Sequence, residues 1–299
     1  MSLRAAIAVT AGVVCLASAQ ELQPPALLYG AFRKGGPIVS GTITGLDPSA
    51  QEFTLEINDQ LRGNITGPRV LVSYSVPPLD PKRPPMLWQR VPPAIGKHVL
   101  LLLVDNKAPL QAREVLDLDT GERQWVPIVR RMIELEQHGA DARTELLAAL
   151  SNPSPLMRAF AIDQLTTRVC AADFACKRDI LVKMYSRASD RSLASGERLT
   201  ATETIGLRIY DGSSATSEIN QLVLADLFEL AADENEDVRA EAIQILAGYL
   251  AGSGSVKPTL PSLAASVRQK VLSSLQTEAN RNGPVSSQAG ALIKILSQR

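Results

Sequence analysis

The residues that could do chemistry in this chain are few and scattered. It holds two histidines, His98 and His138, and three cysteines, Cys15, Cys170 and Cys176. Zinc chemistry would need such groups at finger spacings or as a helix-borne His pair, and neither histidine stands in an HExxH-like pattern. No Gly-x-Ser-x-Gly elbow and no Walker loop occurs, so neither an activated serine nor a phosphate cradle is indicated. Asp117-x-Asp119-x-Gly121 has the opening spacing of a calcium loop, but it lacks the third ligand and the distal glutamate; a hairpin turn is expected there. Gly252-Ser253-Gly254-Ser255 stands between a helical stretch and Pro258 and reads as linker. These residues imply no catalytic constellation, no metal and no cofactor. Cys170 and Cys176, six apart, suit a disulfide in an oxidising compartment, with two buried thiols as the alternative; a redox pair would want Cys-x-x-Cys spacing.

The compartment is suggested by the first 19 residues. Arg4 gives a positive start, the stretch 5–16 is apolar, and Ala17-Ser18-Ala19 is a small-x-small site before Gln20. This pattern predicts an exported protein, periplasmic or secreted, cleaved after Ala19. The apolar run is too short for a spanning helix, and no later stretch reaches the required length. What remains is long enough for two ordinary domains. The 31 basic and 31 acidic residues cancel, so the chain lacks the electrostatic footprint of a nucleic-acid binder.

The elements that must position any site change character along the chain. Residues 20–26 read as an extended leader. From 27 to about 126 the pattern is β: β-branched residues at 38–44, alternation at 53–57 and 70–76, a continuous apolar run at 99–104, and a last hairpin ending near Trp125 and Val126. About seven short strands imply a small all-β barrel or sandwich, since closure or stacking hides their faces and edges. The strand count, with Gly41, Gly45 and Gly63, suits an OB-like barrel. Residues 77–93 carry seven prolines, so they form a stiff loop rather than a central strand. Trp88 on that loop either packs inward or serves recognition. A linking helix is expected over 127–139. Beyond it, 3.6-period stripes over 141–150, 155–169, 174–188, 195–209, 216–231, 236–250, 262–281 and 284–298 pair into four helical hairpins.

The helical half repeats on a grid. Asn152, Ser192 and Asp233 each stand six residues before an arginine, Arg158, Arg198 and Arg239, and Asn282 stands six before Gln288. An alanine follows three later (Ala161, Ala201, Ala242, Ala291) and an aliphatic seven later (Leu165, Ile205, Leu246, Ile295). The turn residue can satisfy orphan backbone groups at a helix start, and the alanine allows close helix approach. DENEDVRAEAIQIL at 233–246 and NPSPLMRAFAIDQL at 152–165 resemble the HEAT repeat, a two-helix unit of about 40 residues that stacks into a solenoid. The resemblance covers 140–299. It implies a ladder between successive repeats, carried by Asp233 with Arg239 and by Asn152 with Arg158. Glu197 before Arg198, Thr202 on the seam and Gln288 in place of an arginine depart from the pattern.

The fold expected is therefore α+β multidomain: signal 1–19, β-barrel or sandwich 20–126, linking helix 127–139, and an α–α superhelix of HEAT-like hairpins over 140–299. The function expected is non-catalytic: an envelope scaffold binding a protein or peptide. The resemblance places second-helix residues on the binding surface, and Asp163, Gln164, Arg168, Glu203, Arg208, Glu241 and Gln244 are the exposed candidates, with Trp88 beside them. The alternative is an enzyme or accessory subunit with a site on the β domain near Tyr74, Trp88 and His98.

Overall fold

The computed structural model describes residues 23–74, 93–107, 110–119, 125–210, 217–251 and 259–298. The expected signal segment and Trp88 lie outside them. The first element corrects the sequence reading. Helix α1 (Gln23–Arg33) stands where an extended leader and the first β residues were expected. Two prolines fall in its first turn, where a missing N–H costs no hydrogen bond. Leu28, Ala31 and Phe32 are buried along one stripe, and that i, i+3, i+4 spacing is helical.

Five strands follow: β1 (Ile38–Asp47), β2 (Glu52–Arg62), β3 (Arg69–Ser73), β4 (His98–Leu103) and β5 (Leu110–Asp117). They close a barrel in the order β1-β2-β3-β5-β4, with β4 returning to β1. All pairings are antiparallel except β3 with β5. Among the described residues there are five strands, against about seven expected. β1 and β2 run 10 and 11 residues, and register shifts at Ile38/Val39, Ser40/Gly41 and Ile43/Gly45 bend β1 around the barrel, so fewer strands enclose the core. At Gly41 a Cβ would lie 2.4 Å from the Glu56 carbonyl oxygen, which only glycine permits. Val39, Ile43, Phe53, Leu55, Val72, Val99, Leu101 and Leu103 fill the interior. Leu100 and Leu102 are also buried, as the unbroken apolar run implied for a strand covered on both faces.

The expected end of a hairpin near Trp125 is instead the start of helix α2 (Trp125–His138). Two arginines of the barrel close the C-terminal end of α1. Arg62 donates to the carbonyls of Phe32 (3.0 Å) and Gly36 (2.9 Å) and lies 4.5 Å over the Phe32 ring. Arg113 donates to Gly35 (2.8 Å). Arg62 also pairs with Glu136 of α2 at 3.3 Å. Helices α3 (Arg143–Ala149) and α4 (Pro155–Gln164) come next, and Phe160 of α4 meets Tyr29 and Phe32 edge-on. By internal contacts the chain divides into two compact units between Ala161 and Ile162, inside α4.

The second unit is built of hairpins: α5 (Phe174–Ser189) with α6 (Ser195–Thr204), α7 (Glu218–Leu230) with α8 (Glu236–Leu250), and α9 (Ala265–Asn280) with α10 (Ser286–Ser297). First helices pack on first helices and second on second, so α6, α8 and α10 form one layer and α5, α7 and α9 the other. A π-helical turn, Leu165–Val169, ends α4, and another, Ile205–Ile209, ends α6 at the equivalent position. Cys170 closes the first of these turns and is joined by a disulfide to Cys176 in the first turn of α5, Cα to Cα 5.3 Å. No described helix is long and apolar enough to cross a membrane.

Candidate functional site

The grid arginines point into the structure, and their six-residue spacing has a local cause. Arg158 Nη1 donates to the carbonyls of Asn152 (2.7 Å) and Pro153 (2.9 Å). Arg239 Nη1 does the same to Asp233 (2.8 Å) and Glu234 (3.2 Å). Each side chain folds back on the two turn carbonyls six and five residues before it, tying the turn to the helix that follows. Between hairpins, Arg198 pairs with Asp233 at 2.7 Å and Arg239 with Glu278 at 2.8 Å. Asp233 is thus a node, held by Arg198 through its carboxylate and by Arg239 through its carbonyl. All three arginines are buried.

The grid itself needs two corrections. Ser192 is not an acceptor for Arg198: its amide and hydroxyl both donate to Asp190 Oδ1, at 2.9 and 2.7 Å, and Arg198 Nε reaches the Ala188 carbonyl instead (2.8 Å). Asp190 therefore plays the part that Asn152 and Asp233 play toward Ser154 and Asn235. In the last hairpin the register slips by one. Helices α4, α6 and α8 start three residues before their arginines; α10 starts three before Ala289. Ala289, Leu292 and Leu296 are buried, whereas Gln288, Ala291 and Ile295 are only partly so. The polar seam residue Thr202 is accommodated by donating to the Arg198 carbonyl at 3.0 Å.

The surface that could bind something lies on α6 and α8. Of the candidates named from the sequence, Asp163 and Gln164 are buried, at 6% and 7% exposure, which removes them from any open surface. Arg168 and Arg208 are exposed on the two π turns, and Gln244 is exposed on α8. Glu203 on α6 and Glu241 on α8 are half-buried, and Glu241 feels the charge of Glu203. Burial, and then the Glu203 carboxylate, push Glu241 up to about 7; burial raises Glu203. Near neutral pH Glu241 is therefore partly protonated and can donate as well as accept a hydrogen bond.

Beside these carboxylates the two helices lock together. Gly206 has no room for a side chain: a Cβ there would meet Ile245 Cγ2 at 2.5 Å. Tyr249 donates to the Gly206 carbonyl at 2.5 Å. Its ring stacks on Tyr210 with centroids 3.9 Å apart and 16° between planes, and burial, then Tyr210, push its hydroxyl up to about 12. Leu207, next to Gly206, is 64% exposed. Sequence reasoning missed Gly206 and the two tyrosines. A signal was there: Thr166, Gly206 and Ala247 are a row of small residues eight past each arginine. The tyrosines stand at different grid positions, Tyr210 twelve past Arg198 and Tyr249 ten past Arg239.

A second carboxylate group lies in the other layer. Tyr185 on α5 donates to Glu229 on α7, and burial followed by this bond raises the phenol. Burial, then Glu229, push Asp226 up to about 7. On the barrel, two of the residues named for an enzyme, Tyr74 and His98, fall among the described residues. Tyr74 packs on Phe53 at 5.7 Å, and His98 is held by Asp119 (2.9 Å) while Lys97 holds Asp117 (3.0 Å). Among the described residues no group of three or more His, Cys, Asp or Glu side chains could hold a metal ion. A scan of protein-family models, a search of curated proteins and a search of solved structures each gave no match to this chain.

Proposed function

We propose that the protein is an exported, non-catalytic binding protein whose second-helix layer receives a protein or peptide of the cell envelope. The observation that carries this reading is the α6–α8 face, where a rigid aromatic base, Tyr210 on Tyr249, stands with the 64% exposed Leu207 and the Glu203–Glu241 pair. Protein interfaces favour this composition: rigid aromatic area, an apolar anchor and a few polar groups of adjustable character. The layered hairpins and the arginine pairing between them support the resemblance to HEAT repeats, whose stacked pairs present extended surfaces to macromolecules. The strand order and the parallel β3–β5 pairing support an OB-like reading of the barrel. Export rests on the first 19 residues alone.

The test uses two exposed positions. The mature protein, with Leu207→Asp and Gln244→Arg as variants, is used to capture partners from the envelope fraction of the source organism. Loss of specific partners with both variants, at unchanged melting temperature, is expected. Identical capture by wild type and both variants would move the function off this face. N-terminal sequencing of the recovered protein checks export: it should begin at Gln20, and an intact Met1 would refute processing.

A further inference from the structure

The turn between α9 and α10 places its glycine where the structure does not ask for one. Arg281 closes α9, its N–H donating to the Glu278 carbonyl at 3.2 Å. The next residue, Asn282, is left-handed, with φ 53°, and exposed. A left-handed residue commonly ends a helix, and glycine takes that conformation at least cost. Here glycine stands one place later. Gly283 does not have a positive φ, and a Cβ on it would meet nothing within 4 Å. Neither backbone conformation nor packing at 283 demands a glycine.

The order Asn282-Gly283 does permit a reaction of the chain on itself. The side-chain amide carbon of an asparagine lies within reach of the next residue's nitrogen, and attack by that nitrogen closes a five-membered ring. A side chain on the following residue hinders the approach, and glycine has none. Of the asparagines in the chain, Asn282 alone precedes a glycine. Asn152, in the turn of the first hairpin, precedes Pro153, whose nitrogen carries no proton to lose. The two turns between them carry Asp190 and Asp233.

We propose that Asn282-Gly283 is a self-modification site, where the turn converts slowly to aspartate and isoaspartate and so loosens the last hairpin as the molecule ages. The Gly283 nitrogen gives up its proton and bonds to Asn282 Cγ. The Cγ–Nδ2 bond breaks, and the amide nitrogen leaves as ammonia with that proton. Water then opens the cyclic imide at either carbonyl. Opening at Cγ leaves an ordinary aspartate. Opening at the main-chain carbonyl leaves the chain running through Cγ, one methylene longer. No electrons are transferred, and water is the only co-reactant. The longer chain displaces the Gly283 carbonyl, which accepts from both the Ser286 N–H (3.2 Å) and Ser286 Oγ (2.8 Å). Those two bonds hold the first residue of α10 against the turn.

The full chain is incubated at pH 8 and at pH 6, folded and in urea, and the peptide spanning Asn282 is followed by mass spectrometry. A gain of one mass unit at Asn282 is expected, at least several-fold faster at pH 8, because the attacking nitrogen must lose its proton. Isoaspartate in that peptide is read by methyl transfer from an isoaspartyl methyltransferase. Gly283→Ala, which the open space at 283 accommodates, should keep the melting temperature and slow the gain at least tenfold. Should that variant not fold, the same comparison in urea decides. Amide hydrogen exchange at Ser286 and Ala289 should quicken in the isoaspartyl form, whereas Asn282→Asp, which carries the charge without the longer chain, leaves it unchanged. The proposal is overturned by no gain in the folded chain over many half-lives of the reaction in urea, by equal rates in wild type and Gly283→Ala, or by a faster gain at another asparagine. Unchanged exchange in the isoaspartyl form would refute the loosening.

Discussion

Asp233, partly buried, and Glu278, buried, show what a shielded charge does here. Each takes an arginine from the preceding hairpin, and Glu278, 5% exposed, takes Arg281 as well at 2.9 Å. Removing one partner leaves an uncompensated buried charge, which costs about 3–5 kcal/mol, whereas replacing both with apolar groups is often neutral. Arg239→Met leaves Glu278 with Arg281 alone and should lower unfolding stability by about 1–3 kcal/mol, and adding Glu278→Leu should restore part of it in a denaturant titration; no recovery in the double variant would contradict this account. The raised carboxylates give a second expectation. Glu241 and Asp226 titrate near 7 in the folded chain against ordinary values of 4.5 and 3.8. Between those values the folded state holds more protons, so stability is greatest on the acid side, falls as pH rises toward about 7 and levels off above it. Asp47, Asp119 and Asp190 are held below their ordinary value by hydrogen bonds they accept, so their opposite contribution is lost only below about pH 4. Urea unfolding at pH 5 and pH 8 should differ by on the order of 1–2 kcal/mol per group in favour of pH 5, and Glu241→Gln should remove its share. Equal stabilities at the two pH values would rule this out.

Among the elements, the seam between α6 and α8 is the most sharply determined. Gly206→Ala would place a methyl against Ile245 and strain the Tyr249 bond to the Gly206 carbonyl; a loss of about 1–3 kcal/mol is expected, recovered in part by Ile245→Val. Thermal melts of the two variants check it. The helices of this half were legible because their apolar stripes run long and their turns carry Asn or Asp. Each expected stretch from 141–150 to 284–298 contains an observed helix. The chemistry between them was less so. Ser192 looked like a turn acceptor because it stands six before Arg198, yet Asp190 two residues earlier is the stronger acceptor and wins the turn. Asp163 and Gln164 looked like surface because they are polar, but their helix is covered on the face that carries them. The candidate face was half legible: Glu203, Arg208, Glu241 and Gln244 came from their positions on second helices, while Leu207 lies on, and Tyr210 just after, a π turn that no apolar period announces, and Tyr249 is found through its stacking on Tyr210. In the first half, α1 was missed because an eleven-residue helix beginning with two prolines offers barely two turns of pattern.

For the whole molecule, the division inside α4 matters more than the loops. A fragment 140–299 would carry Phe160 away from Tyr29 and Phe32, leaving a large aromatic uncovered. Such a fragment should bind a hydrophobic dye and melt below the full chain; a fragment as stable as the parent would show that α1 contributes nothing to it. Reduction of Cys170–Cys176 closes no long loop, so the loss there should be modest, about 2 kcal/mol, read as a shift in denaturation midpoint with added thiol. The two arginines at the end of α1 carry a further consequence, one of timing. Residues 23–33 are made early, but the carbonyls they leave open are answered by Arg62 on β2 and Arg113 on β5, the last strand of the barrel. The first described helix is thus finished only after the last strand of the barrel has been made. It waits through roughly eighty further residues of synthesis, at a few to twenty residues per second, before its end can be sealed. An early helix with an unsealed end frays and reforms, so folding of the first unit converges on barrel closure, not on its beginning.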